Sequence, residues 1–390
     1  MQLSKLQVQE VLQNYLSKEN GLNSVLEMML NSMMSLERQE FLANDLTPNN
    51  KANGYRTGSV FGHGHQIELR IPRDRQSEFI PTILALFREQ ESYIKEVSFQ
   101  LYSKGLTTRD ISDVMDTIYG KHYSKSSISN MSQSFYEQMR SWRSRDLSKH
   151  YLALYIDGLH VKVRRNGVYA NECFYIILGV REDYTREIIA IETLPQESAI
   201  GWELIFESLQ TRGMESVGII ISDNLTGLDK SIAKYFRGTV HQKCTVHLTR
   251  NLLSQVKRED KKELAQDLKE LYSPDRLNYS IEQVGENLME LAQKWRNKKY
   301  KSFANYLENL EYQPYFNYLN FSIHIRRMIY TTNWIERFNK SCRRTLKIRG
   351  AFPNEDSVLA LITATAIEKT SKHYRYPIYN FKFEDKLTKQ

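Results

Sequence analysis

The chain is poor in cysteine: Cys173, Cys244 and Cys342 are the only three in 390 residues. So few, and so far apart, cannot build a disulfide framework, and they suit a reducing compartment such as the cytoplasm. Long apolar runs are missing too. None approaches the ~18 residues that a membrane-crossing helix needs, and the opening MQLSKLQVQE lacks the apolar centre of a secretory leader. There is no GxxxxGK phosphate loop, so neither nucleotide-driven motor activity nor a nucleotide cofactor has support. Internal repeats and low-complexity tracts are absent. What is there is an ordinary globular composition, 41% hydrophobic, 11% aromatic and 26% charged, which excludes wholesale disorder. At about 100–200 residues per domain, the length allows two or three domains, each with its own core.

The formal net charge is +8, a pointer to a polyanionic partner, and it is unevenly spread. Residues 1–50 carry a net −3, whereas residues 321–390 carry +8. The plain alternative is a solvated basic face. Residues 1–46 read as amphipathic helices, with Leu22, Val25, Leu26, Met29, Leu30, Met33 and Met34 at helical spacing. The plain reading of this stripe is packing; its acidic neighbours favour self-association over contact with nucleic acid.

Residues 47–75 are rich in Gly and Asn and lead into an alternating strand, Gln66–Ile71. Arg73 and Arg75 beside Pro72 form either a phosphate-contacting elbow or a strand exit. His63 and His65 receive no role. Further on, Thr107 or Thr108 can cap a helix Arg109–Ile118, Gly120 breaks it, and Ser124 can cap a second helix from Lys125 through Ile128 and Met131. That is the helix-turn-helix pattern, whose second helix enters the major groove of DNA. Ser126, Ser127, Ser129 and Asn130 would then face bases or phosphates. An ordinary helical hairpin would show the same pattern.

The next stretch is the most legible. Tyr151–Asp157 is an apolar strand ending in an aspartate. Asp157-Gly158 turns it into Val161–Arg165, and Asn166-Gly167 is a hairpin signal leading to Tyr169–Val180. Arg181–Arg186 turns again, and Glu187–Leu194 extends the meander. Ser198–Gln210 has helical periodicity stopped by Gly213. Val217–Asp223 is a continuous apolar run, read as a buried strand, and it too ends in an aspartate. Leu225–Phe236 reads as a helix, Thr239–Lys243 as a short strand, and a long helical stretch begins at Thr245. A three-strand meander followed by helix, strand, helix, strand and helix is the ribonuclease-H-like order, an α/β class in which the first and fourth strands are neighbours. That neighbourhood would bring Asp157 and Asp223 together. Residues 248–311 are almost purely helical and charged, an all-α insertion, and Tyr330–Arg349 is a further helix. The expected divisions are 1–48, a helical region read as serving dimerisation; 49–148, DNA-binding, with the helix-turn-helix at about 105–135; 149–247, the first part of the core; 248–312, the insertion; and 313–390, core completion with the Glu336 helix and a basic C-terminal region.

An aspartate at a strand end is commonly only a turn former. Two on adjacent strands are different, because unpaired carboxylates a few ångströms apart repel and a divalent cation resolves the repulsion. The third candidate is Glu336, in TTNWIERFNK. A bland reading competes, since Asn333-x-x-Glu336 fits a capping box in which the glutamate only closes its own helix. Against it, seven Lys/Arg crowd residues 326–347, and Arg337, Lys340, Arg344 and Lys347 fall on one helical face suited to DNA phosphates. Three carboxylates holding two Mg²⁺ about 3.5–4 Å apart can activate a nucleophilic oxygen and stabilise a leaving one at phosphorus. The hard oxygen donors suit Mg²⁺, with Mn²⁺ as a substitute, better than zinc. His241, Cys244 and His247 are spaced like zinc ligands but lack a fourth; a core cysteine and a helix-start histidine at the active-site edge is the favoured reading.

IDGLHVKVR, SDNLTGL, QKCTVHLTRN and IYTTNWIERFNKSCRRTLKIRGAFP, with the upstream IPRDR and LYSKGLTTRDI and the Gln196–Ala199 turn before Trp202, resemble the bacterial insertion-sequence transposases of the Mutator-like class over roughly residues 50–355. The resemblance implies an Asp-Asp-Glu triad on a ribonuclease-H-like core, carried over to Asp157, Asp223 and Glu336, with Mg²⁺ as cofactor. It carries the family's Cys-x-x-His signature to Cys244 and His247, followed by Arg250-Asn251, and its Thr-Thr-Asn to Thr331, Thr332 and Asn333. It also implies terminal inverted repeats and target DNA as substrates, dimeric action, a circular intermediate and a nucleoid-associated place in a bacterial cytoplasm. Asn224 and Trp334 depart from the residues common in the family, and Trp334 stacks either on a base or against the insertion. A non-catalytic DNA-binding derivative and a structure-selective nuclease are the rival readings.

Overall fold

The structure, a computed structural model, describes residues 21–44, 50–62, 65–119, 125–165, 168–194, 197–350, 352 and 354–387. It divides into two compact units, residues 1–135 and 136–390. Among the described residues no helix is long and apolar enough to cross a membrane.

The first unit contains helix α1 (Gly21–Asn44), a hairpin of β1 (Ala52–Gly62) and β2 (His65–Asp74), and helices α2 (Thr82–Ser103) and α3 (Thr108–Tyr119). The amphipathic stripe of α1 is divided. Met34 is fully buried and packs, with Leu26 and Leu30 at its margin, on Val60, Ile67, Leu69 and Ile71 of the hairpin and on Ile83 and Leu84. Met29 and Met33, with Met28 and Leu36, stay exposed. The Gly/Asn-rich stretch ahead of the expected strand is itself largely strand β1: a bulge between Ala52 and Tyr55, with Gly54 at φ 66°, absorbs the irregular start, and the register holds thereafter. At the other end, β2 runs through Pro72 to Asp74, leaving Arg73 and Arg75 exposed where the strand ends. Thr107 caps α3, its Oγ1 accepting from Asp110 N while Asp110 Oδ2 accepts from Thr107 N. Helix α4 (Lys125–Ser144) follows and is longer than the sequence pattern indicated. Gly120 and Ser124, the expected break and cap, lie outside the described residues, as do the side chains of Ser126, Ser127, Ser129 and Asn130.

The second unit is built on a five-stranded sheet, ordered β5-β4-β3-β6-β7. Strands β3 (His150–Arg165), β4 (Val168–Arg181) and β5 (Arg186–Thr193) form an antiparallel meander; β6 (Ser216–Ser222) joins β3 in parallel, and β7 (Val240–Lys243) joins β6 in parallel. Residues 151–156 of the central β3 are at most 1% exposed, as expected of a strand covered on both faces. One expectation fails here. Asp157-Gly158 is not a turn: β3 runs straight through it, pairing Asp157 with Ile176 and Gly158 with Tyr175. Asp-Gly turns a chain only where the ladder ends, and here β4 supplies partners on both sides of it.

Helix α5 (Ala199–Thr211), capped by the Ser198 hydroxyl, packs Trp202, Ile205, Phe206 and Leu209 against Leu154, Ile156, Tyr175 and Ile177. A short helix α6 (Leu228–Tyr235) precedes β7. Helices α7 (Thr245–Ser254), α8 (Lys261–Leu271), α9 (Ile281–Asn297) and α10 (Lys301–Glu308) make the expected helical stretch, with its own buried residues Leu264, Leu268, Leu288, Trp295 and Phe303. Short α11 (Gln313–Phe316) and α12 (Ile323–Ile329) lead to α13 (Asn333–Arg349) and α14 (Glu355–Lys369). Glu187, 2% exposed, ties the meander together by accepting from Arg145, Arg181 and the Tyr151 hydroxyl. Burial pushes its carboxyl up, but these donors outweigh burial and hold it below its ordinary range.

The loop from β6 to α6 depends on Gly227. Its φ is +82°, and a Cβ there would sit 2.4 Å from the Ala199 backbone nitrogen. Gly238 has a similar φ of +84° but open space around it. Gly238→Ala should therefore cost about 1 kcal/mol. Gly227→Ala should cost about 3 kcal/mol or more, because a backbone clash is added to the strain. Urea melts of the two variants beside wild type check this ordering.

Candidate active site

The parallel β3–β6 register matches Ile156 with Ser222, so the next residues along, Asp157 and Asp223, leave the same end of the pair together. Helix α13 brings the third acid. Its N-cap is Thr332 and makes no side-chain capping bond, while Glu336 spends its backbone N–H on Thr332 O. The competing capping box of Asn333 and Glu336 is not formed, so the carboxylate is free of a capping role. It faces α7 instead, accepting from Arg250 Nη1 at 3.2 Å.

All three acids line one open cleft of about 780 Å³, with His247, Arg250, Asn333, Arg337, Lys340 and Arg343 among its other walls. Asp157 is 8% exposed; its Oδ1 accepts from Gly158 N and its Oδ2 from Asn339 Nδ2 at 2.8 Å. Burial pushes its carboxyl above the ordinary range and the charge of Glu336 adds to the rise, against the opposing pull of His247 and Asn339. His247 lies between the acids, Nδ1 3.8 Å from Asp223 Oδ1 and Nε2 3.8 Å from Glu336 Oε1. A hydrogen bond with Cys244 and then the charges of Asp223 and Asp157 raise it to about 9, despite burial, so it is an imidazolium at neutral pH. Cys244 is fully buried at the start of α7 and accepts from Thr332 N and Oγ1. Thr245 completes the clamp, its N–H and hydroxyl both donating to Tyr330 O. Together these bonds tie the start of α7 to the start of α13 and so fix Glu336 opposite the two aspartates.

Among the described residues no three His, Cys, Asp or Glu side chains stand close enough to hold a metal ion as they are. The donor set is nonetheless chemically suited to one: three carboxylates line one cleft, burial pushes Asp157 toward protonation, and His247 and Arg250 lie beside the acids. The zinc arrangement does not occur. His241 is engaged by Asp229 and Ser222, and Cys244 is turned to Thr332.

Of the cationic face read on α13, Arg337 and Lys340 line the cleft, together with Arg250 and Arg343, while Arg344 and Lys347 are exposed on the same helix outside its lining. Sequence reasoning also missed Asn339, although its spacing three residues after Glu336 puts both on one face of α13. It missed Glu197, which lines the cleft and accepts from the Tyr175 hydroxyl and from Thr226 N in the loop after Asp223. At Trp334 the Arg186 guanidinium lies 4.4 Å over the ring, with Tyr374 on a second side of that arginine.

The sequence compares with known proteins along nearly its whole length. It is 29% identical to the transposase for insertion sequence element IS905 of Lactococcus lactis, over 88% of this chain and 89% of that protein. It is 28% identical to the transposase for insertion sequence element IS256 in transposon Tn4001 of Staphylococcus aureus, over 94% of each. The transposase for insertion sequence element IS1201 of Lactobacillus helveticus matches at 28% over 89% of this chain and 94% of its own. The model of the Mutator family of transposases matches residues 1–376. With three acids and a basic wall on one cleft and a family match over almost the entire sequence, the chain belongs to the Mutator family of transposases.

Proposed function

We propose that the protein cuts DNA at the terminal inverted repeats of an insertion sequence and joins the freed end to another strand, acting as a homodimer through a circular intermediate. The observation that carries this reading is the convergence of Asp157, Asp223 and Glu336 on a cleft walled by Arg250, Arg337, Lys340 and Arg343. In it the second unit is a ribonuclease-H-like core, interrupted by an all-α insertion at 248–312 and completed by 313–390. Residues 49–148 bind DNA through a helix-turn-helix, residues 1–48 serve dimerisation, and the enzyme works on the nucleoid in the cytoplasm.

Asp157, Asp223 and Glu336 would hold two Mg²⁺, or Mn²⁺ in their place, which when bound activate the attacking oxygen and stabilise the leaving oxygen at phosphorus. Everything else falls to the chain. Asn339 fixes the rotamer of Asp157 by holding Oδ2. His247 and Arg250 supply the positive charge that keeps the acids together before the site is loaded. Arg337, Lys340 and Arg343 receive the phosphates that flank the scissile one, each contact steepening the log–log salt dependence of binding by about 0.9. Water attacks first, and the 3′-hydroxyl so released attacks the second phosphodiester, so no serine or tyrosine nucleophile is required. Purified protein incubated with labelled element-end DNA and Mg²⁺ should yield cleaved and then joined products; absence of both contradicts the reading.

Asp157→Asn keeps the shape but loses the charge; its one amide oxygen can still accept from Gly158 N, and its NH₂ can donate to Asn339 Oδ1, which has no other partner among the described residues, once the Asn339 amide turns over. Its melting temperature should hold or rise, because a carboxylate disfavoured by burial is removed, while cleavage falls by more than the roughly 10–100-fold typical of changes at residues that only orient a metal ligand. Asn339→Ala should fall within that roughly 10–100-fold range. A thermal melt and a single-turnover cleavage assay on each preparation check both.

Glu336→Gln separates chemistry from folding. No cap is lost, and the Arg250 pair is surface-exposed, so stability should move by at most about 1 kcal/mol. Cleavage and strand transfer should be abolished while DNA-end binding persists, read by gel shift beside the cleavage assay.

A further inference from the structure

Beyond Asp157, strands β3 and β4 leave the sheet. Pairing of β3 with β6 stops at Ile156, and pairing of β4 with β5 stops at Phe174. The remaining residues pair only with each other, as a two-stranded ribbon, except where Phe352 bridges Val163 and accepts from Arg164 N. Its two faces differ sharply. Leu159, Val161 and Val163 are buried at 0%, 6% and 0%. The alternate residues His160, Lys162 and Arg164 are all exposed, and they stand directly opposite Cys173, Asn171 and Tyr169.

We infer that this exposed face is a DNA-binding track that takes the strand backbone as it leaves the catalytic cleft. The inference rests on the transposase reading. Three observations carry it. The track is continuous with the cleft, because Gly158, His160, Cys173 and Tyr175 line that cleft and Lys162 and Arg164 extend the same row. Its charge is uncompensated, since neither Lys162 nor Arg164 has an ion-pair partner among the described residues, whereas Glu172 pairs in register with Val161 of the buried row. And it ends in an aromatic ring, Tyr169, 55% exposed opposite Arg164. A cation row tracking phosphates beside an exposed ring for base stacking is how proteins hold a nucleic-acid strand without reading its sequence. The competing account, that lysine and arginine merely keep an exposed ribbon from pairing with other chains, explains the charges but not the solvent-facing tyrosine or the continuity with the cleft.

The test uses the full chain with Lys162→Ala and Arg164→Ala combined, and separately with the photo-crosslinking residue p-benzoylphenylalanine at position 169 or, as control, at the exposed Tyr379. The probe is a short DNA duplex of arbitrary sequence with a single-stranded tail, in EDTA, titrated at several salt concentrations. The double variant should melt like wild type and bind the duplex several-fold more weakly. Its log–log salt slope should be shallower by about 1.8, or ~0.9 for each of two lost phosphate contacts. Irradiation should join DNA to position 169 and not to position 379. If wild type binds but the double variant keeps the wild-type slope and position 169 yields no adduct, the track is wrong and the cleft stands. If wild type binds no DNA at all, the transposase reading falls, and the track with it.

Discussion

The candidate active site depends on one pairing, the parallel match of β3 to β6. Its register sets Ile156 beside Ser222, so both strands deliver an aspartate at the same level. Strand β6 ends there, and its chain turns into the loop held by Gly227 and Glu197. Strand β3 does not end, because β4 continues to pair with it. The result is an asymmetric couple: Asp157 is buried in the ladder and Asp223 sits at an open strand end. A shift of one residue in this register would turn Asp157 to the other face of the sheet and dismantle the site.

Helix α13 is positioned by the same place in the fold. Asn339 bonds Asp157, Thr332 bonds the Cys244 sulfur, and Tyr330 receives Thr245, so the helix is anchored to the end of β3 and to the start of α7 at once. This concentrates like charge. Asp157 feels both burial and Glu336, and the fold answers with His247, held protonated by its neighbours, and with Arg250. The Cys-x-x-His pair is thus explained without zinc: the cysteine is a sulfur acceptor that locks two helix starts, and the histidine is the counter-charge of the acids.

Much of this could be read from residue patterns. The strands could be read from apolar runs, YLALYI before Asp157 and the largely β-branched VGIII before Asp223, and the two aspartates became candidate acids only as a pair on neighbouring strands. What failed was local chemistry overruled by tertiary pairing. Asp-Gly looked like a turn but lies inside a ladder; the rival capping-box reading of Asn333-x-x-Glu336 falls as well, because the helix starts one residue earlier than that box requires. Asn339 and Arg343 were overlooked because spacing along α13 shows which residues share a face, not which of them a neighbouring strand will meet. Trp334 was beyond sequence reasoning altogether, since its partner Arg186 is distant in the chain.

The central claim is that Asp157, Asp223 and Glu336 together form a divalent-cation site. Anomalous scattering from crystals grown with Mn²⁺ tests it most directly. The account predicts strong peaks in the cleft at metal–oxygen distance from all three carboxylates, with His247 and Arg250 displaced from between them. Peaks held by other residues, or a cleft in which Arg250 and His247 keep their contacts with Glu336 and Asp223 while Mn²⁺ occupies other sites, would contradict it.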